Sequence, residues 1–355
     1  MRIVVTGASG NLGTALLRRL TSTGEHTITG IARRLPADSP FDDTVTWRSL
    51  DLTDEGAAAA LREAVDGADA VVHLAWGFQP SHRLDYLEEL GVGGTRRVIR
   101  AITAAGVPHL VHMSSVGAYS PKQDDSPVDE TWPTDGVPTS PYSRHKAAAE
   151  RLLDDLEATG HDLTVTRLRP GIVGQRSAGS ALLRYGLPAL APAHLLSLLP
   201  VLPLDRALVM PMVHADDVAD AIDRALARRA PGGFNLAADP PITRDTIAEV
   251  LGARPVHVPS RVVRAAAAAA WHARLQPVDP GWVDLAFAVP LLDTTRAADL
   301  LGWSAQHDAV SVLRETVEGM RSEVAGPTPV LRGRTVARQV RDAVLHGPVT
   351  SRREP

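Results

Sequence analysis

Tyr142-Ser143-Arg144-His145-Lys146 sets a phenol and an ammonium four residues apart in this 355-residue chain. On a helix, positions i and i+4 share one face. A phenol of unperturbed pKa about 10 is a weak base at neutral pH, and a neighbouring ammonium favours the phenolate. Such a pair can exchange a proton with a carbonyl or hydroxyl, while Ser115, just after an apolar run, can hydrogen-bond the same oxygen. Of the 37 Lys and Arg residues only Lys122 and Lys146 are lysines, so Lys146 marks a place where a compact ammonium is needed.

A second chemical stretch opens the chain. Ile3-Val4-Val5 is a β-branched run that stops at Thr6-Gly7-Ala8-Ser9-Gly10-Asn11-Leu12-Gly13, and Thr14 to Leu20 is helix-forming. Glycines spaced G-x-x-G-x-x-G between a strand and a helix let a pyrophosphate approach the backbone and meet unpaired N–H groups. Gly7, Ser9, Gly10, Asn11, Leu12 and Gly13 are therefore candidate dinucleotide contacts; the alternative is a tight turn that needs glycine for its own sake.

The elements between these stretches must position them. Strands are expected at His26–Ala32, Val45–Leu50, Ala70–Trp76 and Val107–Met113, separated by helices at 55–65 and 87–105, with a helix from Tyr142 to about Thr159. Alternation at this interval implies an α/β fold with a doubly wound parallel sheet, and ligands then sit beyond the carboxyl ends of the strands. At the tip of the second strand Arg33, and next Arg34, would accept a 2′-phosphate, which implies NADP(H) with NAD(H) as second choice; solvated arginines are the alternative. Asp51 at the third strand end would accept from the adenine amino group or cap a helix. Small residues after the fourth strand leave room for a ribose.

Composition narrows the classes. At 44% hydrophobic and 22% charged residues, the chain reads as an ordinary soluble protein, and a net charge of −4 gives no reason to expect nucleic acid. It has no cysteine, so disulfides and thiolate metal sites are excluded, and its 13 histidines form no ligand pattern; no metal is expected. His73, His112 and His214 sit in apolar stretches as core candidates, and Trp271 reads as core too. The chain starts directly on a strand, from which a cytoplasmic protein is the expectation.

Taken together, these segments resemble the extended branch of the short-chain dehydrogenase/reductase superfamily, the NAD-dependent epimerase/dehydratase-like proteins, from Met1 to about Met320. TGASGNLG resembles the cofactor loop, DLTD the adenine contact at Asp51 and Leu52, HLAW the ribose segment at Leu74, Ala75 and Trp76, and SSVGAY and YSRHK the catalytic segments. The resemblance selects Ser115 over Ser114 and implies a Rossmann fold in which Ser115, Tyr142 and Lys146 are catalytic, Lys146 also binding the nicotinamide ribose. It puts Pro170 and Ile172, in Arg167–Gly174, along the nicotinamide. Three positions depart from the family pattern. Gly91 stands where a supporting asparagine is usual, so that a proton relay there would rest on backbone and water; Val116-Gly117 replaces an acidic pair; and Arg167-Leu168-Arg169-Pro170 replaces R-x-F-N. These differences lead away from nucleotide sugars.

Beyond Gly174, Tyr185–Leu204 carries no formal charge when His194 is neutral, and four prolines, Pro188, Pro192, Pro200 and Pro203, would break a spanning helix. It reads as a lid or wall of an apolar cavity, with no membrane partner. Gly77, Val116, Gly117 and Tyr185 are the candidate substrate contacts. The expected organisation is a dinucleotide-binding domain over 1–175, completed by about 208–238. A smaller, mostly helical substrate domain would span 176–207 and 239–324, and an Arg- and Pro-rich tail or contact arm 325–355. The expected activity is NADP(H)-dependent hydride transfer to or from a ketone, aldehyde or secondary alcohol on an apolar skeleton. The alternatives are a sugar-nucleotide epimerase and a non-catalytic dinucleotide sensor, and a homodimer is expected through the helices at 87–105 and 142–159.

Overall fold

The computed structural model describes residues 1–37, 39–77, 81–186, 200–276 and 278–333, with no side chains described for 184–186. In chain order the first half runs β1 (Arg2–Thr6), α1 (Asn11–Ser22), β2 (Thr27–Ala32), β3 (Val45–Ser49), α2 (Ala58–Val65), β4 (Ala70–His73), α3 (Leu84–Glu88), α4 (Gly94–Ala105), β5 (His109–Met113), α5 (Pro141–Ala158) and β6 (Thr164–Pro170). The second half runs β7 (Ile172–Gly174), α6 (Gly179–Gly186), β8 (Val201–Leu204), β9 (Val209–His214), α7 (Ala215–Arg228), β10 (Gly232–Leu236), β11 (Ala238–Thr243), α8 (Arg244–Leu251), β12 (Arg254–His257), α9 (Ser260–His272), α10 (Pro280–Ala288) and α11 (Ala309–Arg321).

Seven of these strands form one parallel sheet in the order β10-β6-β5-β4-β1-β2-β3. Val4, Val5, Val71, Val72, Leu110 and Val111 are buried, as strands covered by helices on both faces must be. The doubly wound Rossmann architecture follows. From β1 the chain winds outward through β2 and β3 and then returns to β4 on the other side, which opens a crevice beyond the ends of β1 and β4.

The C-terminal part is helical, as expected, but adds a three-stranded sheet β11-β9-β7 and a parallel β8-β12 pair. Tyr185 lies in α6, yet its side chain, with residues 187–199, lies outside the described residues. Among the described residues no helix is long and apolar enough to cross a membrane, and no group of three His, Asp or Glu side chains could hold a metal ion.

Two expectations differ from the structure. The 87–105 stretch is not one helix: α3 passes into a π-helical turn, Glu89–Gly93, before α4, and the two glycines in that turn tolerate its wider path. A Cβ on Gly93 would stand 2.5 Å from the Glu89 carboxylate. Nor is Trp271 core, for α9 buries none of its residues and Trp271 is only partly covered, its ring stacked on His82 at 4.6 Å. His73, His112 and His214 are buried.

Candidate active site

The glycine loop crosses the sheet's switch point as a backbone cradle. Gly7 is left-handed (φ +71°), and a Cβ there would lie 2.7 Å from the Ala75 nitrogen. A Cβ on Gly13 would meet the Gly7 carbonyl at 2.4 Å, so loop and helix pack without side chains between them. No side chain caps the N-terminus of α1, which leaves its first N–H groups to face an anion. These features fit a dinucleotide pyrophosphate. Asn11 Oδ1 and the Asn11 carbonyl both accept from Gln175 Nε2, at 2.5 and 2.8 Å, so the contacts Asn11 can offer an anion are its N–H donors.

A cavity of about 550 Å³ runs from this loop across the strand ends. It brings together Gly7, Ser9, Gly10, Asn11, Leu12, Gly13, Arg33, Asp51, Leu52, Leu74, Ala75, Trp76, Ser115, Val116, Gly117, Tyr142, Lys146, Pro170 and Ile172. Arg34 is exposed and Gly77 is packed under Leu87; neither belongs to the lining. Arg33 reaches the Tyr86 hydroxyl, a cavity residue the sequence did not single out. Asp51 Oδ1 accepts from the Thr53 N–H and hydroxyl at 2.9 and 2.8 Å, so it caps a turn as well as facing the cavity; Asp54 caps the following 3₁₀ turn.

α5 positions Tyr142 and Lys146. Ser140 caps it with Pro141 at its first turn, and Ser143 Oγ donates to the Gly117 carbonyl at 2.6 Å, which ties the helix start to the turn after β5. That turn carries Ser115, whose Oγ accepts from Gly117 N at 3.0 Å and shares a hydrogen bond with Tyr142. A Cβ on Gly117 would stand 2.9 Å from Tyr142 Cε1, so glycine there lets the phenol reach the serine. Ser114 points elsewhere, donating to buried Glu150 at 2.5 Å.

Burial pushes the Tyr142 phenol up to about 12, against the downward pull of Ser115, and brings the Lys146 ammonium down to about 7, Glu150 opposing. Lys146 donates to the Met113 carbonyl at 2.9 Å and lies over the Trp76 indole. In this structure burial outweighs the expected acidification of the phenol by the lysine.

Behind the site Glu150, fully buried, accepts from Arg167 at 3.0 Å and from Arg169 at 2.9 and 3.0 Å. Burial raises its carboxyl, but the hydrogen bonds and charge of Arg169, followed by Ser114 and the charge of Arg167, bring it down to about 2. Arg169 also donates to the Tyr119 hydroxyl, which donates in turn to Asn235 Oδ1. In the sequence Arg167 and Arg169 stand out only as departures from the family pattern, since arginine is spread through the whole chain.

The outer wall, also not foreseen, comes from distant elements: Met210 and Met212 of β9 and Trp282, Leu285, Ala286 and Val289 of α10 and its end. Residues 325–333 lie against the glycine loop. Thr328 Oγ1 donates to the Ser9 carbonyl at 2.7 Å, and Val330 and buried Leu331 complete the lining.

A parallel Rossmann sheet, a glycine cradle and a Ser-Tyr-Lys group meet at one cavity, the arrangement of the extended short-chain dehydrogenase/reductase type. The sequence profile of the NAD dependent epimerase/dehydratase family matches residues 3–237, and the chain belongs to that family. It is 28% identical over 327 residues to the uncharacterized protein Mb2073c of Mycobacterium bovis, covering 91% of this chain and 30% of that one; the chain thus spans about a third of the length of the first curated relatives it matches. It is 28% identical to UDP-glucose 4-epimerase of Mycolicibacterium smegmatis (91% and 99% covered) and 31% identical to the decarboxylating sterol-4-alpha-carboxylate 3-dehydrogenase of Saccharomyces cerevisiae (48% and 51%). Among solved structures, UDP-glucose-4-epimerase from Stenotrophomonas maltophila, with bound NAD and formylated UDP-arabinopyranose, superposes with a TM-score of 0.68 at 25% identity (91% and 98% covered).

Proposed function

We propose that the protein is an NADP(H)-dependent reductase or dehydrogenase acting on a ketone, aldehyde or secondary alcohol borne on an apolar skeleton. The observation that carries this is the cavity's charge distribution. Among its described lining residues the charged side chains are Arg33, Asp51 and Lys146, and the wall beyond Ser115 is built from Val116, Ile172, Met210, Met212, Trp282 and Leu285. A nucleoside diphosphate substrate needs cationic or N–H donors of its own beyond those holding the cofactor; an apolar skeleton needs this wall. A sterol dehydrogenase among the relatives agrees with such a substrate. The epimerase relatives support the alternative, a sugar-nucleotide epimerase, which the cation-poor wall disfavours.

In carbonyl reduction the nicotinamide, when bound, supplies the hydride. Tyr142, protonated at neutral pH, donates its phenolic proton to the carbonyl oxygen as that oxygen gains charge. Ser115 hydrogen-bonds the same oxygen, and Lys146 favours the phenolate left behind. Arg33, at the tip of β2, is the residue for a 2′-phosphate. The same reading includes a homodimer that pairs α4 and α5 with their copies in a four-helix contact; a monomer in light scattering at micromolar concentration would dispose of it.

The test is a panel of apolar ketones, aldehydes and alcohols followed at the NADPH absorbance band, with UDP-sugars assayed for epimerisation alongside. Turnover of carbonyls with stoichiometric NADPH consumption, lost in Tyr142→Phe, is expected. Sugar-nucleotide epimerisation without net cofactor consumption would replace this reading with the alternative.

A further inference from the structure

The buried ammonium of Lys146 has no carboxylate partner within ion-pair distance among the described residues. Glu150, one turn along the same helix, spends its oxygens on Arg167, Arg169 and Ser114. His73 of β4 and His112 of β5 face the lysine from the sheet, and both are kept neutral, chiefly by burial and then by nearby positive groups, Lys146 among them. His73 has its two ring nitrogens on Thr6 and Thr95, at 2.6 and 3.1 Å. Tyr142, on α5 itself, is a further titratable neighbour among the described residues. What meets the charge is the Trp76 indole, whose ring centroid is 3.5 Å from Nζ, close for a cation over a π face.

The indole lies in space that one residue leaves empty. A Cβ on Gly91, in the π-helical turn, would stand 2.9 Å from Trp76 Cζ2 and 3.0 Å from Cη2. The same indole makes a T-shaped contact with the Tyr142 ring, centroids 6.4 Å apart and planes at 80°. Trp76 thus touches both members of the proton-handling pair.

We propose that Trp76 is a positioning residue that holds the Lys146 ammonium beside Tyr142 through its π face, in a pocket that exists because residue 91 is glycine. Its catalytic consequence rests on the reductase reading above; the contact itself does not. An ammonium has three N–H donors. The Met113 carbonyl takes one and the indole another, which leaves one for a hydroxyl of the cofactor or of Tyr142.

With only two lysines in the chain, the test is direct. Protein labelled with ¹³C-lysine gives two sets of ε-methylene signals, assigned by Lys122→Arg. Ring current from the indole is expected to move the Lys146 protons upfield. Trp76→Leu should abolish that displacement, Trp76→Phe should keep part of it, and Gly91→Ala should reduce it by pushing the indole aside. Titration of the same signals should show the ammonium form of Trp76→Leu disfavoured by about two- to thirtyfold, the worth of a cation–π contact, with recovery in Trp76→Phe. A Lys146 signal that matches Lys122, or that Trp76→Leu leaves in place, overturns the proposal. These spectra need no substrate. A displaced signal in a protein that reduces no carbonyl would refute the function while leaving this contact standing, and carbonyl reduction with an undisplaced signal would do the reverse. Should Trp76→Leu fail to fold, Trp76→Phe and Gly91→Ala carry the same reading.

Discussion

Trp282 lies across the ring of Tyr142, centroids 5.0 Å apart and planes inclined by 32°, so that α10 covers the phenol ring. Trp282 forms one side of the apolar wall. In Trp282→Ala the substrate loses a large apolar surface, and KM for an apolar carbonyl should rise by about tenfold or more, the equivalent of part of one buried aromatic contact. Trp282→Phe should recover most of it. Steady-state kinetics on both variants checks the wall, and an unchanged KM in Trp282→Ala would remove α10 from the substrate site.

Arg33 tests the cofactor assignment. A charge-assisted hydrogen bond to a phosphate is worth about 1.5–3 kcal/mol. Arg33→Ser should therefore raise KM for NADPH by about ten- to a hundredfold and leave KM for NADH nearly unmoved. Equal effects on the two cofactors would mean that Arg33 serves Tyr86 and the fold instead.

Buried histidines make the fold acid-sensitive. Burial, with Lys146, takes His73 down to about 3, and burial, with Arg229, takes His109 down to about 4. Below pH 6.5 the unfolded chain binds protons that the folded one refuses. Stability therefore falls as pH drops from 6.5 towards 4, by about 1 kcal/mol per pH unit for each histidine. Glu150 adds its own loss only below its unfolded value of 4.5, as it protonates towards 2. Urea unfolding between pH 7.5 and 4.5 should show this slope, and His109→Gln, which can still bond Thr166, should flatten it. An identical slope in the variant would contradict the assignment.

What the sequence reveals and what it hides divide along physical lines. Strands such as Ile3–Val5 and Leu110–Val111 are legible because burial on both faces leaves apolar runs, and the glycine loop because backbone approach admits no other residue. Ser115 and Tyr142 are legible as a local pattern around one strand end and one helix start. Trp282 is not, because its contact with Tyr142 joins positions 140 residues apart and no periodicity encodes it. The cluster of Arg167, Arg169 and Glu150 stays hidden for another reason: in a chain that uses arginine nearly everywhere, a buried ion-paired arginine looks like a surface one.

That cluster makes a prediction of its own. Glu150→Gln would leave the buried Arg169 guanidinium without a carboxylate, while Arg167 keeps Asp154 and Glu157, and a broken buried pair costs about 3–5 kcal/mol. A sharply lower Tm is expected. It should exceed the effect of Ser114→Ala, which removes a single neutral donor to the same carboxylate. Comparable losses in the two variants would show that Arg169 finds another partner.

The segment 325–333 ties the far end of the described chain to the cofactor loop. Thr328 Oγ1 bonds the carbonyl of Ser9, between the glycines that shape the cradle, and Leu331, 1% exposed, forms part of the cavity wall. Thr328→Val should cost about 1 kcal/mol of stability, the worth of one hydrogen bond. Leu331→Ala should cost about 2–5 kcal/mol through the cavity it opens. Because both contacts act on the loop that meets the pyrophosphate, each variant should also weaken NADPH binding several-fold in a fluorescence titration. Loss of stability with an unchanged Kd would make the segment a brace for the fold alone, whereas parallel losses make it part of the cofactor site.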